Sequence, residues 1–331
     1  MSGNTKLATI QQISKVEKHP NADLLEIVGV LGYKAIVKKD QWKVGDFCVF
    51  IVPDTVLPDA KWAEFYKAKS SRVKAVKLRN VWSEGIVESV QTVGYTGPIQ
   101  AGLDITDVIG VTKYDPPLPQ DLSAKGLLPF NIPKTDEDRF NSIIDLPYGE
   151  IVDVTLKIDG QSCSFYWKVN DDDTVSEGVL GRTMEYKWGA ENKYSQNQAN
   201  YDVLNKISFF CRKNNVRGIC VRGESYGAGI QKFSHNPHAS LHLGWAMFSV
   251  WLMDEKRYAR KGDKFYFTNI AKEINLPTVP LIEENVVLTP ELISKYCEGI
   301  ETLGRKPFEG VVIQHPKGSF KVINKSYDSK K

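Results

Sequence analysis

Short runs of alternating apolar and polar residues, each closed by turn residues, dominate residues 5–110: LATIQQISKVEK, LLEIVGVLGY, KAIVKK, DFCVFIVPD and GIVESV. Such alternation marks strands with one buried face. Strands at this spacing, with no long helical stripe between them, predict a small β-barrel.

One segment breaks the rhythm. From Lys61 to Arg79, KWAEFYKAKSSRVKAVKLR holds seven basic residues (Lys61, Lys67, Lys69, Arg72, Lys74, Lys77, Arg79) against one acid, Glu64. Trp62, Phe65 and Tyr66 are interleaved with them. A basic track with aromatic neighbours suits a phosphate backbone and stackable bases, and it equally suits a solvated loop. The formal net charge of +3 is too small to decide between the two. His19-Pro20-Asn21-Ala22-Asp23, the strand pair after it and Lys43-Val44-Gly45-Asp46 resemble the OB-fold modules of tRNA-binding proteins and aminoacyl-tRNA synthetase appendages. OB-folds serve many partners, so the fold alone names no ligand.

KYDPPLPQDLSAKGLL, rich in proline and polar residues, predicts a linker over 113–128, between a barrel module at 1–112 and a second domain at 129–331. NIPKTDEDRFNSI carries a helix-start signal, with Thr135 as N-cap and Asp136, Glu137 and Asp138 in the first turn. Val203, Leu204, Ile207, Phe210 and Cys211 form one helical stripe. Leu292, Ile293, Tyr296, Ile300 and Leu303 form another, with Thr289 and Pro290 at its start and Gly304 at its end. The second domain is therefore α+β.

Within it, VTLKIDGQS alternates Val152, Val154, Leu156 and Ile158 with Asp153, Thr155, Lys157 and Asp159, the pattern of a half-buried strand. Gly160 then permits a turn or a close approach. Lys157 could be a solvated strand lysine, and K-x-D-G arises often by chance. Further segments follow in order: Arg182 in VLGRTMEYKW, Glu224 in VRGESYG, Phe248 in MFSVWLMD, Glu309 in FEGVVIQ and Lys321 in SFKVINKSY. Charges beside glycine next to strand-like stretches can project from a sheet into one cleft.

In this order and spacing the segments resemble the covalent nucleotidyltransferases, the ATP-dependent ligases and mRNA capping enzymes. IPKTDEDR ahead of Lys157, GRT after it and FEGVV…SFKVIN at the end bring the resemblance closest to the RNA ligases. A barrel module in front of the catalytic domain points to the Deinococcus/Naegleria-type branch. The resemblance implies an N-terminal OB-fold followed by an ATP-grasp-like adenylyltransferase domain of antiparallel sheets with flanking helices. It implies ATP and Mg2+ (or Mn2+) as cofactors. The reaction would join 3′-OH and 5′-phosphate ends, at nicks in an RNA or RNA/DNA duplex, through a lysyl-AMP intermediate and an adenylylated 5′ end.

By the same resemblance Lys157 is the nucleophile. Asp159, Glu224 and Glu309 would hold the metal or its waters, Glu224 also contacting the ribose. Lys321 would face the α-phosphate, Phe248 would stack on adenine or serve as core, and Arg182 would engage phosphate or the 3′-end region. Many relatives carry a second lysine two places after Lys321; here Ile323 stands there, and Lys325 is the candidate replacement. The nucleophile must be a neutral amine, and deprotonating an ordinary lysine at pH 7 costs about 4.6 kcal/mol. A nearby cation in a low-dielectric cleft offsets that cost.

Other features carry less. Pro237 interrupts any helix through His235, His238 and His242, which argues against a metal site there, and His315 has no evident partner. GESYGAG lacks the ending of a P-loop. The tail NKSYDSKK reads as a frayed end. Five scattered cysteines without C-x-x-C spacing suggest a reducing, cytoplasmic setting, and no run suits a signal peptide or membrane span. A monomer is expected. A capping-type guanylyltransferase and a non-catalytic OB-fold tRNA- or RNA-binding protein are the competing readings.

Overall fold

The computed structural model describes residues 6–114, 123–187, 189, 191–298, 302–303 and 306–328. They fall into two compact units, one of residues 6–114, Asp138–Leu146 and Asp328, the other of residues 123–137 and Pro147–Tyr327.

The described residues of the first unit are mostly β, with one α-helical turn, α1 (Glu64–Lys67), and 3-10 turns at Lys61–Ala63 and Phe140–Ser142. Its strands are β1 (Ala8–Gln12), β2 (Lys15–Lys18), β3 (Leu25–Val30), β4 (Tyr33–Lys38), β5 (Phe47–Ile51), β6 (Thr55–Val56), β7 (Val76–Leu78), β8 (Val81–Ser83), β9 (Ile86–Glu88) and β10 (Thr112–Lys113). They pair as β1-β5-β9, β2-β3-β4, β7-β8 and β10-β6. Alternation does what it predicts in β4, where Tyr33, Ala35 and Val37 face the core and Lys34 and Lys38 face solvent. Ile10, Val28, Phe50 and Ile51 fill the centre. The return segment Asp138–Leu146 is tied in by Arg139, whose guanidinium lies 3.0 Å from Asp54, and by the Tyr33–Ser142 hydroxyl pair at 2.7 Å.

The second unit holds β11 (Ala124–Leu127), β12 (Ile151–Lys157), β13 (Gln161–Val169), β14 (Val175–Leu180), β15 (Met184–Tyr186), β16 (Gly218–Tyr226), β17 (Gly244–Leu252), β18 (Arg257–Tyr258), β19 (Leu281–Val287), β20 (Thr302–Leu303), β21 (Lys306–Pro307), β22 (Gly310–His315) and β23 (Gly318–Ile323). Two antiparallel sheets dominate, seven-stranded in the order β11-β15-β14-β13-β16-β17-β18 and four-stranded in the order β19-β12-β22-β23. The helices are α2 (Lys193–Tyr201), α3 (Val203–Asn214), α4 (Phe267–Ile274), α5 (Pro290–Cys297) and α6 (Lys325–Asp328). The stripe read for α3 is the buried one, residue for residue. Among the described residues no helix is long and apolar enough to cross a membrane.

Several expectations meet a different structure. Thr135 caps no helix: residues 132–138 are irregular, because the acids of the supposed first turn serve distant partners. Asp136 meets Arg182 and Lys321, Glu137 accepts from Ser319, and the Thr135 hydroxyl donates to Ser162. Helix α5 stops at Cys297, short of Leu303, which lies in β20; Ile300 and Gly304 are outside the described residues. The tail is not frayed through its first half, since α6 carries a fully buried Tyr327. Of residues 113–128, Lys113 closes β10 and Ala124–Leu127 form β11, while 115–122 lie outside the described residues.

A further correction concerns β12, which is central in its sheet and buried on both faces. Asp153 is 5% exposed and accepts from Lys261 at 2.5 Å, Tyr266 at 3.3 Å and the Asn285 amide at 3.0 Å. Removing one partner of a buried pair strands the other. Asp153→Ala is therefore expected to lower stability by about 3 kcal/mol in urea denaturation. Asp153→Leu, which also abandons Lys261, should rescue nothing.

Candidate active site

Antiparallel pairing of β12 with β22 sets Lys157 opposite Gly310, so Glu309 sits just outside the ladder beside the lysine. The Lys157 ammonium lies 2.6 Å from Glu309 Oε2, with 27% and 10% of the two side chains exposed. Gly310 has φ +151°, and a Cβ there would come within 2.2 Å of the Val322 carbonyl oxygen. Only glycine lets β22 approach β23 this closely at the point where Glu309 is aimed.

The next glycine answers the close-approach question. A Cβ on Gly160 would meet the Ser225 carbonyl oxygen at 2.3 Å and Glu224 Cγ at 2.9 Å. Gly160 thus brings the turn after Lys157 against the strand that carries Glu224. Between them Asp159 is 4% exposed. Its Oδ2 accepts from the Tyr327 hydroxyl at 2.7 Å, and its main-chain oxygen accepts from Asn236 Nδ2 at 3.0 Å. Burial, then the Asp159 carboxylate, push the Tyr327 phenol far above its ordinary pKa, which keeps it a donor. His235 packs edge-on against the Tyr327 ring at 4.8 Å. Burial lowers the pKa of His238 although the Asp159 and Glu309 carboxylates pull it upward, so this ring is neutral near pH 7.

Lys321 and Arg182 converge on one carboxylate. Asp136 Oδ1 is 3.4 Å from Lys321 Nζ, and its Oδ2 is 3.7 Å from the Arg182 guanidinium. Glu137 beside it is half-buried, and desolvation raises its pKa; it accepts from Ser319 at 2.8 Å. Phe248 is neither core nor plain surface. Arg222 pairs with Ser249 and Gly223 with Met247, so Phe248 is the extra residue of a β-bulge and is half-buried. Bulges re-aim side chains, often beside active sites. Lys325 opens α6 with its ammonium 3.5 Å from Glu298.

The candidates Lys157 and Glu309 are thus in direct contact, Glu224 closes on the turn holding Asp159, and Lys321 and Arg182 share an acid. Sequence reasoning missed Asp136, Asn236 and Tyr327. Asp136 was visible only as a helix-start acid, and Tyr327 only as an aromatic in a charged tail. Among the described residues no three His, Cys, Asp or Glu side chains are grouped to grip a metal directly.

Comparison with known proteins bears on both units. An OB-fold domain family model matches residues 7–90. No curated protein matches the chain by sequence. Among solved structures, the Naegleria gruberi RNA ligase with PPi is 25% identical, with a TM-score of 0.80 and 97% of each chain covered. A mutant of the same ligase in its apo form is 25% identical, with a TM-score of 0.81 and 98% of each chain covered. A mutant with ATP and Mn is 24% identical, with a TM-score of 0.82, 98% of this chain and 99% of that one covered. The RNA ligase family model matches residues 150–327, more than half of the sequence and every candidate from Lys157 to Lys325. The chain belongs to the RNA ligase family.

Proposed function

We propose that this RNA ligase joins 3′-OH to 5′-phosphate ends at nicks in a duplex, with Lys157 as its nucleophile. ATP and a divalent metal, Mg2+ or Mn2+, are its cofactors. The observation that carries the reading is the Lys157–Glu309 contact at 2.6 Å, at the end of a strand buried on both faces. A solvated surface lysine has no need of such a site.

In the first step the Lys157 amine attacks the α-phosphorus of ATP. A P–N bond forms, the bond to the bridging oxygen breaks, and pyrophosphate leaves. AMP then passes to the 5′-phosphate, freeing Lys157, and the 3′-hydroxyl displaces AMP as the new phosphodiester forms. Glu309 keeps the amine in place but favours its ammonium form, so the lysine must give up a proton before it attacks. Asp159, Glu224 and Glu309 would hold the divalent ion, which would supply positive charge to offset these carboxylates and the phosphate. Lys321 and Arg182 stabilise charge on the transferring phosphate and its neighbours. Glu224 contacts the ribose, and Phe248, re-aimed by its bulge, stacks on adenine. The chain's domain organisation, a barrel module followed by an adenylyltransferase domain, fits a nucleic-acid substrate.

Incubation with Mg2+ and α-labelled ATP, followed by denaturation, should leave label on the protein. Lys157→Ala should abolish it; an adduct that survives this change sinks the mechanism, and preference for GTP would point to capping. Nicks with each strand as RNA or DNA then define the substrate.

A second prediction concerns Tyr327. Tyr327→Phe keeps the ring and removes the hydroxyl that fixes Asp159. Lysine adenylylation should slow by about 10–100-fold and require more Mg2+, as expected for partners that orient metal-associated groups. In an Asp159→Asn background the same change should cost little.

A further inference from the structure

The basic track of the barrel unit is not uniform. Lys67 is paired with Asp59, and Arg72 with Asp54 at 2.5 Å while its guanidinium also covers the Tyr114 ring at 4.3 Å. Tyr66 turns inward and donates to Glu88 at 2.5 Å. These residues are engaged in the barrel's own structure. Further along, Lys74, Lys77 and Arg79 are all exposed. Among the described residues no carboxylate forms an ion pair with any of the three.

Pairing of β7 with β8 puts Lys77 directly across from Trp82, with the ammonium 5.5 Å from the ring centroid. Their neighbours Val76 and Ser83 point to the opposite face, and Ser83 is buried there. Arg79 and Asn80 make the tip, with φ +46° and +68°, the two consecutive positive values of a tight hairpin turn. The outer face therefore presents Lys77 beside a half-buried indole, with the exposed Arg79 at the adjoining tip.

The His19-Pro20-Asn21 turn holds this hairpin. His19 is 1% exposed; its Nδ1 accepts from the Asn21 amide at 3.1 Å, so Nε2 carries the hydrogen and donates to the Leu78 carbonyl at 3.3 Å. Asn21 Nδ2 donates to the Arg79 carbonyl at 2.8 Å. At the other end Ser83 Oγ accepts from the Ile36 amide at 3.0 Å, and the Glu84 amide donates to the Lys34 carbonyl at 2.7 Å. Two cations without acidic partners cost self-repulsion unless a polyanion covers them, and a fixed backbone loses little entropy when it does.

We propose that the outer face of the β7–β8 hairpin, Lys77, Arg79 and Trp82, is the surface on which the barrel unit docks a nucleic-acid strand, and that His19 and Asn21 pre-organise it. The cations meet phosphates and the indole packs on a sugar or an unstacked base. This assignment rests on the nucleic-acid substrate of the ligase reading and names where on the barrel that substrate is met.

The test is fluorescence anisotropy of a labelled nicked RNA duplex over a salt series, with the full-length protein and its variants. Lys77→Ala with Arg79→Ala should weaken binding and reduce the slope of log affinity against log salt by about 2. Trp82→Ala should weaken binding about tenfold with the slope unchanged. Asn21→Ala removes no charge, so it should lower affinity at constant slope. Thermal unfolding identifies any variant that has lost its fold; for such a variant Lys77→Gln with Arg79→Gln and Trp82→Leu replace it. Unchanged affinity and slope in the double variant overturn the docking face, and unchanged affinity in Asn21→Ala overturns the pre-organising role. A wild-type protein that forms no lysyl-adenylate overturns the ligase reading instead, so the two failures are separable.

Discussion

Lys157 and Glu309 come from segments 152 residues apart, and their ion pair closes at 2.6 Å with little of either side chain in water. Desolvating two charges is costly unless geometry and further hydrogen bonds compensate. The compensation is architectural. β12 must end where β22 begins, and Gly310 must let β22 lie close on β23, which carries Lys321. Gly160 must then fold the chain against Glu224 before β13 leaves in the other sheet. A single contact thus depends on the register of three strands and on the point at which the chain leaves one sheet for the other.

In the proposed reaction the same pair sets the chemical problem. A carboxylate at hydrogen-bond distance stabilises the charged form of an amine, whereas attack on phosphorus needs the neutral form. Asp159 does not add freely to that opposing field, because one of its oxygens is committed to Tyr327 behind it. The tyrosine stays protonated in its buried position and so remains a donor to that oxygen. The other oxygen is left with a defined direction. In the proposed reaction, positive charge brought in with the nucleotide changes the balance at Glu309, and a fixed Asp159 lets a modest displacement do so.

What could be read beforehand follows from the range of the interactions. The α3 stripe is legible because helical periodicity is local, and the barrel strands because alternation is local. The glycines of K-x-D-G and its later companions are legible because Gly160, Gly223 and Gly310 stand where a Cβ would collide with neighbouring atoms. Asp153 looked solvated because its partners Lys261, Tyr266 and Asn285 lie more than a hundred residues away. Thr135 looked like a cap because nothing local reveals that Asp136 serves Lys321 and Arg182. Tyr327 escaped for the same reason, its value lying wholly in a contact across 168 positions.

Under the proposed reaction, Ile323, where the resemblance leads one to look for a second lysine, bears on how the side of the site assigned to phosphate is charged. Residues 321 and 323 share one face of β23, since side chains two apart in a strand do. Ile323 is 8% exposed, so the isoleucine is packed, and a lysine placed there would have to bury or displace its ammonium. Lys325 is turned to Glu298. Arg182, arriving from the turn between β14 and β15, instead shares Asp136 with Lys321. One carboxylate therefore gathers two cations from two different sheets. The isoleucine removes a positive charge from the strand without leaving Lys321 as the sole cation at that acid, and the guanidinium's planar fork suits phosphate oxygens better than a second ammonium would.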